Sequence, residues 1–175
     1  MTPFSDSKDW TWVLRRRCPE CGFDAAHFPA KFVPRQVRKT IPSWAEVLNR
    51  PDVRVRPEED VWSPLEYACH VRDVYRLFNE RLALMLNEED PLFANWDQNE
   101  SAVERDYQGQ MPQVVADQIA EAGERIAKQF DGLSDDQWKR KGRRSDGAEF
   151  TADSFARYLM HDPVHHLWDV GAKVP

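Results

Sequence analysis

Apolar residues recur with a helical period in four stretches of the chain, and the polar, proline- and glycine-bearing segments between them set the boundaries. The first stretch opens at Pro34, a residue suited to the first turn of a helix. It runs to about Asn49 with Val37, Ile41, Trp44, Ala45 and Leu48 on one face; Pro42 should bend it. Ser63-Pro64-Leu65-Glu66 is a capping box with proline at the first helical position, and it announces the second helix, 64–89. That helix carries Leu65, Ala68, Cys69, Val71, Val74, Tyr75, Phe78, Leu82 and Met85 at a period near 3.6. A third helix follows from Pro112 to Phe130 with the stripe Val115, Ile119, Ala122, Ile126 and Phe130. Thr151 caps the fourth, which Gly171 stops. Residues 90–111 read as a long connection anchored by Phe93 and Trp96, and Gly142 and Gly147 suggest a small hairpin before the last helix. Residues 1–33, with Pro3, Pro19, Gly22 and Pro29, hold no sustained period and form an irregular arm packed through Trp10, Trp12, Phe23 and Phe28. The expected protein is all-α: a four-helix bundle over 34–175 behind an N-terminal arm, 1–33.

Composition narrows the classes of function. A net charge of −6 with both signs interspersed gives no nucleic-acid footprint, and the runs Arg15-Arg16-Arg17 and Lys139–Arg144 read as solvated patches. No stretch approaches the ~18 apolar residues of a membrane span, and Asp6, Lys8 and Asp9 stand where a signal peptide would be apolar, so a cytoplasmic location without membrane partner is expected. Three cysteines, an odd count, fit reduced thiols better than a disulfide framework.

Candidate chemistry concentrates in the last helix, where three of the five histidines, His161, His165 and His166, fall within six positions. Residues at i and i+4 share a helix face, so His161 and His165 can hold one cation, while His166 lies ~100° further round and should be more exposed. His70, two turns into the second helix, can complete the set from across the bundle. Three imidazoles with an open position suit zinc, nickel or ferrous iron in a catalytic rather than a structural role. Asp73, Asp162 and Asp169 are candidate acceptors for imidazole N–H groups, and Asp73 or Asp162 could act as a base. His161-Asp162-x-x-His165 has the spacing of a metalloprotease His-Glu-x-x-His, but the shorter acid and Pro163 fit that reaction poorly. Cys18-Pro19-Glu20-Cys21-Gly22 resembles half of a zinc ribbon, with His27 as a third candidate ligand for a structural metal. Cys69 reads as a small buried residue, and Trp62, Tyr67 and Trp168 could line an apolar mouth.

Two segments, Trp62-Ser63-x-x-Glu66-x-x-x-His70 and Tyr158-Leu159-Met160-His161-x-x-x-His165-His166, resemble the DinB-like superfamily over roughly residues 34–171. The resemblance implies a four-helix bundle holding a divalent metal by three residues from its second and fourth helices, which map onto His70, His161 and His165. Characterised relatives look like metal-dependent enzymes that activate mycothiol, bacillithiol or glutathione for transfer or isomerisation. In the isomerase branch one ligand is a glutamate, whereas the three candidates here are histidines. The expected function is therefore a metal- and thiol-dependent transferase acting on a small molecule. Its alternatives are a hydrolase using metal-activated water and a non-enzymatic, metal-stabilised stress-response or binding module. Bundles with exposed aromatics often pair, which makes a homodimer an expectation.

Overall fold

A computed structural model describes residues 9–175; Pro3, Asp6 and Lys8 of the arm lie outside it. Five helices form: α1 (Val33–Leu48), α2 (Pro64–Asn87), α3 (Gln98–Glu104), α4 (Pro112–Asp131) and α5 (Ala152–Asp169). The four long ones begin and end within two residues of the positions set by the caps, prolines and glycines of the sequence. Ser63 Oγ accepts from the Glu66 N–H, and the Glu66 carboxylate accepts from the Ser63 N–H, so the reciprocal cap of α2 is complete. Thr151 and Ser154 cap α5 in the same reciprocal way. Pro42 and Pro163 are both contained within their helices.

α1 and α2 each pack principally on α4 and α5, which gives the order α1–α4–α2–α5 around the bundle. The core follows from the apolar stripes: Trp44 of α1, Tyr75 and Leu82 of α2, Ile119, Ile126 and Phe130 of α4, and Phe155 and Leu159 of α5 are all buried. Phe78 and Phe155 stack with ring centroids 4.3 Å apart and join α2 to α5. This adjacency brings the His70 end of α2 against the histidines of α5.

The long connection is not featureless. It contains α3, capped by the Asp97 carboxylate, and the two-residue strand β1 (Leu92–Phe93). β1 pairs in parallel with β2 (Lys141–Arg144), and β2 pairs antiparallel with β3 (Glu149–Thr151), with Gly142 opposite Phe150. Gly142 is required by packing, since a Cβ there would stand 2.5 Å from the Phe93 ring and 2.8 Å from Met85. The arm is strapped to α5: Val13, Cys18 and Ala25 are buried, and Arg157 of α5 donates to the Ala25 carbonyl at 3.0 Å. No helix among the described residues is long and apolar enough to cross a membrane.

Candidate metal centre

α5 runs between the bundle on one side and the arm on the other, so two adjacent faces of it are buried and each carries an i, i+4 pair. Asp162 and His166 look toward α2; His161 and His165 look toward the arm. Among the described residues, the potential metal-ligating atoms accordingly form two groups, His70 with Asp162 and His166, and Cys18 and Cys21 with His161 and His165, each within a span of 4.8 Å. The trio expected from spacing and from the family resemblance, His70 with His161 and His165, is thus divided between the groups. His166 is not on an exposed face: its side chain is only 18% accessible, and its ring meets that of His70 edge-on at 5.0 Å.

In the first group, His70 is 1% exposed and its Nε2 lies 3.3 Å from Asp162 Oδ2. Trp96 stacks on the His70 ring at 5.5 Å, and Trp62 packs at 5.4 Å. The His166 Nδ1 is 2.7 Å from Asp169 Oδ2, which fixes the ring and leaves Nε2 directed toward Asp162 Oδ1 at 3.8 Å. Burial opposes ionisation of Asp162, yet His70 and His166 beside it outweigh that effect and hold its carboxyl at about 2. Asp162 Oδ1 and His70 Nδ1 are buried without a hydrogen-bond partner among the described residues. Two imidazoles and an ionised carboxylate with unused lone pairs fit a divalent cation.

In the second group, burial, with His165 adjacent, pushes the His161 imidazole down to about 4, and burial also lowers His165. Burial pushes the Cys21 thiol up to about 12. His27 joins neither group; its side chain is 83% exposed and pairs with Asp24 at 3.1 Å.

Asp73 has a structural setting. It accepts from Arg72 Nε at 2.9 Å and from the Tyr107 hydroxyl at 2.7 Å, with Arg105 Nη1 at 3.0 Å, and it does not line the cavity described next. Cys69 is buried beneath the Tyr107 carbonyl, and desolvation pushes its thiol up to about 12.

The first group opens onto a cavity of about 630 Å³, which His161 and His165 of the second group also help to line. Trp62, Tyr67 and Trp168 line it, with Trp10 and Glu20 from the arm, Trp96 and Asp97 from the connection, and Arg144 from β2. Arg81, three turns beyond His70 on α2, also faces it at 9% exposure. Its Nη2 donates to the Ala94 carbonyl at 3.0 Å, and its guanidinium lies 5.2 Å from the centre of the Phe93 ring. No carboxylate among the described residues forms an ion pair with it. Burial, reinforced by Arg144, lowers Arg81 to about 10. Spacing arguments overlook Arg81, which reads as an ordinary polar position on α2.

A family model described as the DinB superfamily matches residues 35–170. The chain belongs to the DinB superfamily. Among solved structures, YfiT from Bacillus subtilis superimposes with a TM-score of 0.64 over 96% of this chain and 90% of that one, at 18% identity. YfiT is described as a probable metal-dependent hydrolase with an unusual four-helix bundle topology. At that identity the likeness establishes the shared bundle fold. No curated protein matches the chain in sequence.

Proposed function

We propose that this DinB-superfamily protein is a metal-dependent enzyme for a small anionic substrate, with a divalent cation held by His70, Asp162 and His166. The observation that carries the reading is an incomplete donor set, two imidazoles and one carboxylate, at the wall of a cavity of about 630 Å³, within the size range of small-molecule sites. A cation bound by three side chains keeps a position for the reacting group and, as a Lewis acid, makes a coordinated thiol or water acidic enough to act near neutral pH.

The chain's own residues supply the rest. Asp169 orients His166 through Nδ1, so that Nε2 faces Asp162 and the His70 side of the site. Trp62 and Trp96 enclose His70 and keep water from its edge of the site. Arg81, a buried cation whose hydrogen-bond partner among the described residues is a carbonyl, offers a charge-assisted contact to a carboxylate or phosphate of the substrate.

The nucleophile we assign is a low-molecular-weight thiol, of the mycothiol, bacillithiol or glutathione kind, as the family resemblance suggests. A cavity of this volume accommodates such a thiol beside a small electrophile, and no general base is needed once the thiol is ionised. A second reading, hydrolysis with water as nucleophile, is supported by the description of YfiT. One assay set separates the two. Zinc-, nickel- and iron-loaded protein is offered activated esters and electrophilic acids, with and without each thiol. Turnover that needs both metal and thiol and disappears in His166→Ala supports transfer. Metal-dependent turnover indifferent to thiol identifies the hydrolase, and turnover unaffected by metal removal overturns both.

A further inference from the structure

We infer that Cys18, Cys21, His161 and His165 form a second, structural zinc site that fastens the N-terminal arm to α5, separate from the proposed catalytic centre. The sulfurs come from a tight turn. Cys18 N–H donates to the Phe23 carbonyl at 2.9 Å, Gly22 N–H donates back to the Cys18 carbonyl at 3.1 Å, and Gly22 adopts φ +74°, which favours glycine. The imidazoles come from successive turns of α5, with ring centroids 4.9 Å apart. Four ligating atoms then lie within 4.8 Å of one another, drawn from segments more than a hundred residues apart in the chain.

The spacing is that of a tetrahedral ion. Cys18 Sγ is 3.7 Å from His165 Nδ1, and Zn–S and Zn–N bonds of ~2.3 and ~2.05 Å place such atoms about 3.6 Å apart at a tetrahedral angle. All three cysteines are free, so the pair is not consumed by a disulfide. His161 Nε2 is buried with no hydrogen-bond partner among the described residues, an orphan that a ligand bond would satisfy. On the far side of His165, Nε2 faces Glu20 at 3.5 Å and Asp169 at 3.7 Å, the carboxylates that usually orient a ligating imidazole. Trp10 covers both histidine rings at 5.3 and 5.0 Å. His161 and His165 border the cavity, but two thiolates and two imidazoles fill all four positions of a tetrahedral zinc, which marks the site as structural.

The consequence reaches the other site. His161 and Asp162 are neighbours, as are His165 and His166, so an ion gripping one face of α5 sets the rotation at which the adjacent face meets His70. Asp169 contacts a histidine of each group. The arm residues held in this way, Trp10 and Glu20, are also walls of the cavity.

The test uses cobalt(II) as probe on the metal-free full-length protein. A thiolate-to-cobalt charge-transfer band with the strong visible bands of tetrahedral cobalt is expected. It should persist in Cys69→Ser and in His70→Ala, and be lost in Cys21→Ser and in His165→Ala. Zinc loading of the wild type, which needs no variant to fold, should shield Cys18 and Cys21 from a thiol reagent, with both becoming reactive after chelation. Cobalt binding without a thiolate band, a band that survives His165→Ala, or thiols equally reactive with and without zinc would each overturn the inference.

Discussion

Arg81 keeps a guanidinium at 9% exposure with a carbonyl as its hydrogen-bond partner, in the wall of the same cavity as the His70 group. A buried cation with no carboxylate paired to it among the described residues is costly for folding and valuable for binding anions. Arg81→Met is expected to raise stability by about 0.5–1 kcal/mol in urea titrations while weakening binding of simple carboxylates or phosphate, read from tryptophan fluorescence, at least tenfold. Loss of stability with unchanged anion binding would make Arg81 a structural residue. The carboxylate of Asp162 has the complementary role. Asp162→Asn preserves shape and removes the charge, so metal affinity should fall about 10- to 100-fold by competition with a chromogenic chelator, without large loss of helix content. At this scale the sequence discloses the residue types but not their grouping. Both i, i+4 pairs of α5 are visible in it; which pair faces His70 depends on the arm burying a second face of the helix, a tertiary fact that helical period does not carry.

Among the elements, α2 is the best specified, because its capping box is also an electrostatic anchor. Burial would raise the Glu66 carboxyl, but hydrogen bonds from Arg56 and Ser63 outweigh it and hold it below its ordinary value of 4.5. Asp73, against Arg72 and Tyr107, is likewise held below 3.8 despite its burial. The unfolded chain therefore binds more protons than the native one in acid. The stabilisation is fully present above about pH 4.5 and is lost as pH falls further through the native values. Burial of neutral His161 and His165 adds an earlier limb, because the unfolded imidazoles protonate from about pH 6.5 while the native ones resist. Urea midpoints should therefore decline from about pH 6.5 and keep falling below 4.5, the lower limb less steep in Arg56→Met; a midpoint independent of pH down to 3 would contradict this. Ser63→Ala should cost about 1 kcal/mol through the cap alone. The four long helices are legible because cap, period and terminator agree for each. α3 and β1 are not: one is seven residues long, and the other is two residues paired with a strand about fifty positions away.

At the scale of the whole molecule, α5 of this DinB-superfamily bundle carries side chains of two potential metal-ligating groups among the described residues, one facing α2 and one facing the arm, beside a cavity that both help to line. The bundle could be read from the sequence because each helix contributes its own stripe. The relation of arm to bundle could not, since Cys18-x-x-Cys21 pairs with His161 and His165 rather than with anything near it in the chain, and His27, the nearest candidate, points to solvent. Removing metal from the wild type should lower its melting temperature and increase proteolytic cutting within the arm relative to the helices. Equal melting temperatures with and without chelator would contradict that.

The most direct measurement is metal content of the purified, untagged protein beside His166→Ala and His161→Ala, each with its cobalt(II) spectrum. About two ions per chain are expected in the wild type, with His166→Ala losing one ion but keeping the thiolate band, and His161→Ala losing that band. Metal content unchanged in His166→Ala but lost in His161→Ala and His70→Ala together would put His70 in one site with His161, and would contradict the division of α5 into two metal-binding faces.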